Sequence, residues 1–289
     1  MLTMDAHPGP VHALTFTPGG TLVTAGAGGV RVWEPPELTR EIGSLNEPVW
    51  CLAISPDGRF LAAGGPRMWL ELIDRTGERP DHRIQCGRPI TTIAYLSPTR
   101  FVYGLGDKVD PTTASCTLYF VDPPKLQPRK SFEAVNGIRA LAADPPRNRL
   151  AWVTDTKFLT VQDVTRPAVK PVVLRKEARA VAFSPDGRKL AVTSDWDVLL
   201  YDADQWPSAP TTLGRHQGSV TALAFTPDSR TLYSGAVDQT VKVWEVDRGA
   251  AGPTFTWPVG RVTALAVAPD GLRAAAAGSD GKVAVWDVD

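Results

Sequence analysis

The sequence of 289 residues contains few of the side chains from which metal sites and many catalytic sites are built. It has four histidines, three cysteines and three asparagines, and its 31 basic residues are balanced by 31 acidic ones. A net charge of zero argues against bulk electrostatic binding to nucleic acid or to an anionic membrane. No apolar run reaches the roughly 18 residues that a membrane helix needs. The opening residues, MLTMDAHPGP, lack the basic and apolar parts of a secretory signal.

The cysteines are too widely spaced for a metal knuckle or a disulfide framework. Cys51, Cys86 and Cys116 are odd in number and form no CxxC pair, which favours a reducing, cytoplasmic setting. The patterns GxxxxGK, GxSxG and HExxH and the EF-hand loop are all absent, so the sequence indicates no cofactor and no metal. Arginine (22) outnumbers lysine (9), a bias that is typical of high-GC bacterial genomes.

The chain repeats one pattern seven times, and the repeat determines the predicted fold. The units start near residues 11, 49, 90, 138, 178, 220 and 262, at spacings of 38, 41, 48, 40, 42 and 42 residues. Each unit reads as three apolar strands joined by tight turns, followed by a looser fourth strand. Three units carry Pro-Asp-Gly in the first turn, where proline fixes φ and glycine accepts positive φ. The strands are apolar at nearly every position, which is typical of a sheet covered on both faces.

Val-Trp-Glu or Val-Trp-Asp closes three units, at Trp33, Trp244 and Trp286. With this motif and their spacing, the units resemble the blades of the WD-repeat β-propellers, whose period is typically 40–45 residues. The resemblance covers the whole chain. It implies an all-β fold, a seven-bladed β-propeller of four-stranded antiparallel blades. The tryptophan position is occupied by other residues in units two to five, namely Ile73, Val121, Gln162 and Tyr201.

The two ends of the chain predict how the ring closes. The seventh unit stops at Asp289, directly after its third strand, and residues 1–5 stand where a fourth strand belongs. We expect this N-terminal strand to join the last blade, which removes a free sheet edge. Residues 1–289 would then form a single domain and a complete ring.

Four residues of unit six invite two interpretations. His216, Ser234, Asp238 and Trp244 include the residue types of a hydrolase triad. The resemblance instead implies that they form a buried structural hydrogen-bond network. On that interpretation we expect His216→Ala to cost roughly 1–3 kcal/mol, and Ser234→Ala to cost less. Unit one carries a partial set, His7, Thr24 and Trp33.

The resemblance also implies a binding surface. Partners of such propellers dock on the face formed by the d–a loops, which join one blade to the next, and by the b–c turns within each blade. We call this surface the d–a/b–c face. The position after the first-strand valine is an expected contact slot, and it holds one residue per unit: His12, Trp50, Thr91, Arg139, Arg179, Thr221 and Thr263. The position before it adds Glu177 and Arg261.

From these slots we predict a partner-binding set in which arginine and tryptophan carry the interface energy. Its members are His12, Trp50, Arg139, Glu177, Arg179 and Arg261. Arg139 and Arg179 stand on adjacent units at the expected strand starts and suit a carboxylate or a phosphate. The insert at residues 104–115 lengthens the b–c turn of unit three and has no assigned role.

The sequence therefore predicts a non-catalytic scaffold that binds a protein or peptide, acidic or phosphorylated in character, and neither nucleic acid nor membrane. The chain would act as a monomer or as a subunit of a hetero-complex. Two alternatives stay open. One is a propeller enzyme of the hydrolase or lactonase type with a site in the central channel. The other is a structural subunit of a larger complex that uses its outer rim.

Overall fold

The computed structural model describes residues 1–35, 37–42, 47–106, 115–122, 127–135 and 137–288. These residues form 28 β-strands and one 3-10 helix, η1 (Pro145–Arg147). The strands group into seven four-stranded antiparallel sheets, which we number blades 1 to 7. Six blades take four consecutive strands each, and the seventh also takes the first strand of the chain.

The chain begins with β1 (Leu2–Asp5) and then enters blade 1. Blade 1 contains β2 (Val11–Phe16), β3 (Leu22–Gly26), β4 (Gly29–Glu34) and β5 (Glu37–Ile42). Blade 2 contains β6 (Cys51–Ile54), β7 (Phe60–Gly64), β8 (Trp69–Asp74) and β9 (His82–Gln85). Blade 3 contains β10 (Ile90–Ser97), β11 (Arg100–Leu105), β12 (Ser115–Val121) and β13 (Arg129–Val135).

The remaining four blades follow the same plan. Blade 4 contains β14 (Ile138–Asp144), β15 (Arg149–Thr154), β16 (Phe158–Asp163) and β17 (Val172–Val173). Blade 5 contains β18 (Val181–Phe183), β19 (Lys189–Ser194), β20 (Asp197–Asp202) and β21 (Thr211–Arg215). Blade 6 contains β22 (Val220–Phe225), β23 (Thr231–Ala236), β24 (Thr240–Glu245) and β25 (Ala250–Thr256). Blade 7 contains β26 (Val262–Val267), β27 (Arg273–Gly278), β28 (Lys282–Asp287) and β1.

The seven blades form a closed ring around the first strand of each blade. Each first strand contacts the first strand of the next blade, and β26 of blade 7 contacts β2 of blade 1. The buried apolar side chains form seven clusters, and each cluster joins two neighbouring blades. The core therefore lies between the blades, which explains why the middle strands are apolar on both faces. The fold is the seven-bladed β-propeller that the sequence predicts.

Tight turns between the first two strands hold the repeat in register. In blade 2 the Ser55 hydroxyl donates to Asp57 over 2.5 Å and accepts the N–H of Phe60 over 2.8 Å. Gly58 has φ of 74°, a left-handed conformation that glycine adopts at little cost. Blades 5 and 6 repeat the side-chain bond with Ser184 and Asp186 and with Thr226 and Asp228. The aspartate of the Pro-Asp-Gly sequence thus accepts a hydrogen bond within the turn, and its glycine adopts the positive φ that the turn requires.

The N-terminal strand lies where the sequence predicts it. β1 pairs antiparallel with β28, and Met4 is opposite Val283. The Met4 side chain is buried in the cluster between blades 7 and 1. The N–H groups of Ala6 and His7 both donate to the carbonyl of Gly281, which continues the contact beyond the strand. The ring is closed by pairing between distant parts of the chain.

Blade 5 departs from the expected strand start. The sequence places the fifth unit at Ala178, whereas β18 begins at Val181. The Thr193 hydroxyl accepts the backbone N–H groups of Arg179 and Ala180, at 2.8 and 3.1 Å. These two N–H groups therefore bind a side chain rather than a strand carbonyl. Arg179 consequently precedes the strand instead of starting it.

Candidate binding face

A buried hydrogen-bond relay ties the loop before blade 6 to the strands of that blade. His216 precedes β22, Ser234 lies in β23 and Trp244 lies in β24. Nε2 of His216 is 2.7 Å from the Ser234 hydroxyl oxygen, and the indole N–H of Trp244 donates to the same oxygen over 2.7 Å. Nδ1 of His216 is 3.2 Å from the Asp238 carboxylate. The structure thus brings these four side chains into one connected chain.

The direction of each hydrogen bond in the relay follows from the proton on the histidine. Burial lowers the pKa of His216, so the ring is neutral at pH 7. Asp238 can only accept, which places the ring proton on Nδ1 and leaves Nε2 to accept the Ser234 proton. Ser234 then donates to His216 and accepts from Trp244. Because Ser234 is 0% exposed, its hydroxyl is not accessible to a substrate. The hydroxyl is thus held between two side chains and shielded from solvent.

Blade 1 contains a second relay of the same design. His7 Nε2 lies 2.9 Å from the Thr24 hydroxyl, and the Trp33 indole N–H donates to that hydroxyl over 2.9 Å. The other ring nitrogen, Nδ1, lies 3.0 Å from the carbonyl oxygen of Ala27, which takes the place of the missing aspartate. Burial lowers the pKa of His7 to about 4. Two of the seven d–a loops are therefore fixed by a neutral histidine.

The candidate contact residues differ in their solvent exposure and in whether they already form ion pairs. Arg179 is exposed, and its guanidinium has no hydrogen-bond or ion-pair partner in the part of the chain that the structure describes. Arg139 is only partly exposed, because it lies 2.5 Å from Asp155 and 3.6 Å from Glu177. The Glu177 contact connects blade 4 to the loop that enters blade 5. The two arginines lie on adjacent blades as predicted, but only Arg179 is unpaired.

The other three contact residues lie on the same face. Trp50 is 38% exposed and directly precedes β6. His12 is half-buried in β2, and burial lowers its pKa. Arg261 is exposed just before β26, where its backbone N–H donates to the Ser279 hydroxyl over 3.1 Å. Trp50 and Arg261 thus present side chains to solvent, while His12 is partly withdrawn.

The threonines of the same slot make contacts between neighbouring blades. The hydroxyls of Thr91, Thr221 and Thr263 each donate over 2.5 Å to a carbonyl of the next blade, those of Ile138, Val262 and Val11 respectively. In blade 2 the thiol of Cys51 donates to Ile90 O over 3.6 Å. We call these four contacts the blade bridges. Their donors link each of these blades to the next.

The opposite face carries many ion pairs. Arg59 lies 3.0 Å from Asp74 and 2.7 Å from Glu78, and Arg100 lies 2.6 Å from Asp122. The Asp74 side chain is only 1% exposed, so Arg59 compensates a buried charge. Arg59 and Arg100 are therefore neutralised by neighbouring acids. The a–b turns also offer exposed arginines, for example Arg188 and Arg230.

Comparison with known proteins identifies the family. The family profile described as WD domain, G-beta repeat matches residues 1–34, 38–68, 175–202, 208–245 and 253–287, more than half of the chain. The chain belongs to the WD-repeat family. The longest unmatched stretch, residues 69–174, contains the third and fourth units. Their tryptophan position holds Val121 and Gln162.

Individual relatives of this WD-repeat chain match it over very different lengths. SEC12-like protein 2 of Arabidopsis thaliana is 26% identical over 250 residues, which cover 85% of this chain and 54% of that protein. Protein HIR1 of Eremothecium gossypii is 32% identical over 108 residues, 34% of this chain and 13% of its own length. WD repeat-containing protein 1 of Bos taurus is 35% identical over 79 residues, which cover 26% of this chain and 13% of that protein. The chain thus spans about half of the first relative and a small part of the others.

The insert of unit three lies in blade 3, and the fourth histidine of the WD-repeat chain, His82, lies in blade 2. Gly104 and Leu105 of the insert complete β11 and Ser115 begins β12, while residues 107–114 lie outside the described residues. His82 is exposed in the outer strand β9. Among the described residues, no group of three or more His, Cys, Asp or Glu side chains is arranged to hold a metal ion. Within the described residues, no helix has the length and apolarity needed to cross a membrane.

Proposed function

We propose that this WD-repeat propeller is a non-catalytic scaffold that binds an acidic or phosphorylated segment of a partner protein on its d–a/b–c face. The observation that carries the proposal is Arg179, an exposed guanidinium with no partner among the described residues. Guanidinium groups bind carboxylates and phosphates through paired hydrogen bonds. Membership of a family of interaction scaffolds supports the same conclusion.

The ion pairs of Arg59 and Arg100 and the exposure of Trp50 support this choice of surface. Arg59 and Arg100 on the opposite face lie within 3.0 Å of carboxylates, so an acidic ligand would have to compete with them. Trp50 adds an exposed aromatic side chain to the d–a/b–c face. Arginine and tryptophan are the residue types that most often dominate interface energies. We therefore expect an acidic partner segment to bind the d–a/b–c face.

The proposal treats residues 1–289 as a single domain in the cytoplasm, acting as a monomer or as a subunit of a hetero-complex. Cys51 and Cys86 are free thiols, which fits a reducing compartment. Neither nucleic acid nor membrane is among the proposed partners, because the chain has no net charge. The proposal fixes the charge of the bound segment but not its sequence, so peptide libraries are the appropriate probe.

The test uses immobilised peptide libraries, one rich in acidic residues and phosphoserine and one rich in lysine. Arg179→Glu should weaken binding of selected acidic peptides about tenfold or more, because one charge-assisted contact becomes a repulsion. The matched control is Arg188→Glu with Arg230→Glu, two exposed arginines in a–b turns. Arg59 is unsuitable as a control, because its reversal would place a second acid beside the buried Asp74.

Two results would refute the proposal. An equal loss from Arg179→Glu and from the control pair would place the binding surface elsewhere. A preference for the lysine-rich library in the unaltered protein would show that the partner segment is not acidic. Arg139 is left unchanged in this experiment, since its reversal would face both Asp155 and Glu177 and disturb the contact between blades 4 and 5.

A further inference from the structure

A small cavity opens on the d–a/b–c face beside blade 2. It has a volume of about 20 Å³ and lies between the residues that precede β6 and the turn from β7 to β8. Glu47, Arg67, Trp69 and Glu71 line it together with the backbone around Gly64. This volume holds about one water-sized group. Two carboxylates and an indole around such a space suit a small cation.

Glu71 is the buried anion of this cavity. It is 6% exposed, and its Oε1 atom lies 3.5 Å from Nη2 of Arg83 on β9. Its Oε2 atom is buried and has no hydrogen-bond partner among the described residues. A buried carboxylate oxygen without a donor is costly, and such groups in native structures call for an explanation. Burial raises the pKa of Glu71, as expected for an acid whose charge is incompletely compensated.

The equivalent position in two other blades carries the opposite charge. Glu71 is paired with Ala63, as Arg31 is with Thr24 in blade 1 and Lys242 is with Ser234 in blade 6. Arg31 donates to Ala6 O over 2.7 Å and Lys242 donates to Arg215 O over 2.9 Å, so each places a cation against the loop that enters its blade. Blade 2 has an acid at this point. Arg83 faces only its Oε1 atom, so the Oε2 atom can accept a donor from outside the chain.

The second carboxylate of the cavity is held loosely. Glu47 lies 3.9 Å from Arg67, whose side chain is 68% exposed. An exposed ion pair of this kind contributes little and is readily exchanged for another cation. Trp69 also lines the cavity and already packs against a guanidinium, with the Arg83 carbon 5.7 Å from the ring centroid. An ammonium on an alkyl stem in this cavity would meet two carboxylates and an indole among its lining residues.

We propose that this cavity binds the ε-ammonium group of a lysine, with Glu71 as the buried carboxylate partner and Glu47 at the entrance. Because Oε1 of Glu71 faces Arg83 and only Oε2 lacks a partner, the site suits the point charge of an ammonium better than the paired donors of a guanidinium. The inference rests on the proposed function only in assigning the lysine to the docked partner segment. That segment would then carry a lysine over blade 2 and acidic groups near Arg179 on blade 5.

The test uses N-acetyl-lysine methylamide as the probe and the indole N–H resonance of Trp69 as the readout, assigned with Trp69→Phe. We expect a saturable shift with a dissociation constant on the order of millimolar. N-acetyl-norleucine methylamide has a similar stem without the ammonium and should give no saturable shift. N-acetyl-arginine methylamide should bind about tenfold more weakly. Glu71→Gln should abolish the lysine response, whereas Glu78→Gln, an exposed acid of the same blade, should leave it unchanged.

Three results would overturn the inference: no saturable shift with lysine, an equal shift with norleucine or arginine, or an unchanged response in Glu71→Gln. Occupation of the cavity by a buried water only would give the first of these. The comparison of lysine with norleucine on the unaltered protein decides the matter even where Glu71→Gln fails to fold. The probe carries no acidic group, so its failure leaves the Arg179 experiment unaffected, and the reverse also holds.

Discussion

Removal of the Ser234 hydroxyl is a sharp test of the relay in blade 6, because two buried groups depend on it. The Trp244 N–H donates to this oxygen, and His216 Nε2 accepts its proton, each over 2.7 Å. Both side chains are 2% exposed, so water does not replace the lost partner. Ser234→Ala leaves a donor and an acceptor unpaired at once. At about 1–2 kcal/mol for each group, the free energy of unfolding should fall by about 2–4 kcal/mol.

This geometry revises the order expected from the sequence, in which His216→Ala costs more than Ser234→Ala. Without the imidazole, Asp238 still accepts from Gln217 N over 2.8 Å and from Thr240 Oγ1 over 2.7 Å. Only the Ser234 proton then loses its acceptor, although a cavity remains where the ring was. We therefore expect Ser234→Ala to cost at least as much as His216→Ala.

The measurement is urea unfolding followed by far-UV circular dichroism at pH 7.5. Thr24→Val should show a comparable loss in blade 1, since Thr24 Oγ1 is shared between His7 and Trp33 in the same way. Ser208→Ala is the matched control, because its hydroxyl makes one long contact of 3.4 Å, and it should change stability by about 0.5 kcal/mol or less. A loss for Ser234→Ala as small as that of the control would refute the relay as a source of stability.

Two further predictions concern pH and ring closure. Burial lowers the pKa of His7 from 6.5 to about 4, so the unfolded chain binds a proton that the folded chain refuses. Stability should fall by up to about 3 kcal/mol as the pH drops from 6.5 to 4, and a His7→Gln variant with an equally steep dependence would disprove this. Deletion of residues 1–5 exposes β28 and removes the buried Met4. It should cost several kcal/mol, and an unchanged melting temperature would contradict it.

The repeat pattern predicted the fold because each signal in it has a local physical cause. Pro-Asp-Gly turns and the apolar strands reappear in the structure at the predicted register, including the positions where tryptophan is replaced. Gln162 illustrates what the pattern missed. Its amide accepts the N–H of Val169 and donates to the carbonyl oxygens of Arg166 and Pro167, so it organises the segment before β17. The sequence marked this position only as a lost tryptophan.

The candidate site was less predictable, because residues of neighbouring blades determine which of its side chains form ion pairs or hydrogen bonds. Arg139 and Arg179 look equivalent in the sequence, yet Asp155 and Glu177 reach only the first of them. The blade bridges had a usable signal, namely that threonine recurs after the first-strand residue in three units. Glu71 had one as well, since Arg31 and Lys242 occupy the same register in other blades. Neither signal can be interpreted without knowing which carbonyl or cavity faces the side chain.

The pairing of β1 with β28 has a consequence for biosynthesis. Met4 and Val283 are opposite each other in the sheet although about 280 residues of chain separate them. At a synthesis rate of 5–20 residues per second, β1 leaves the ribosome on the order of 15–60 s before its partner. During that time it is an unpaired strand, but a short one of four residues that ends in the exposed Asp5. A short strand that ends in a charge is a poor template for aggregation, so β1 can stay unpaired until β28 has been synthesised.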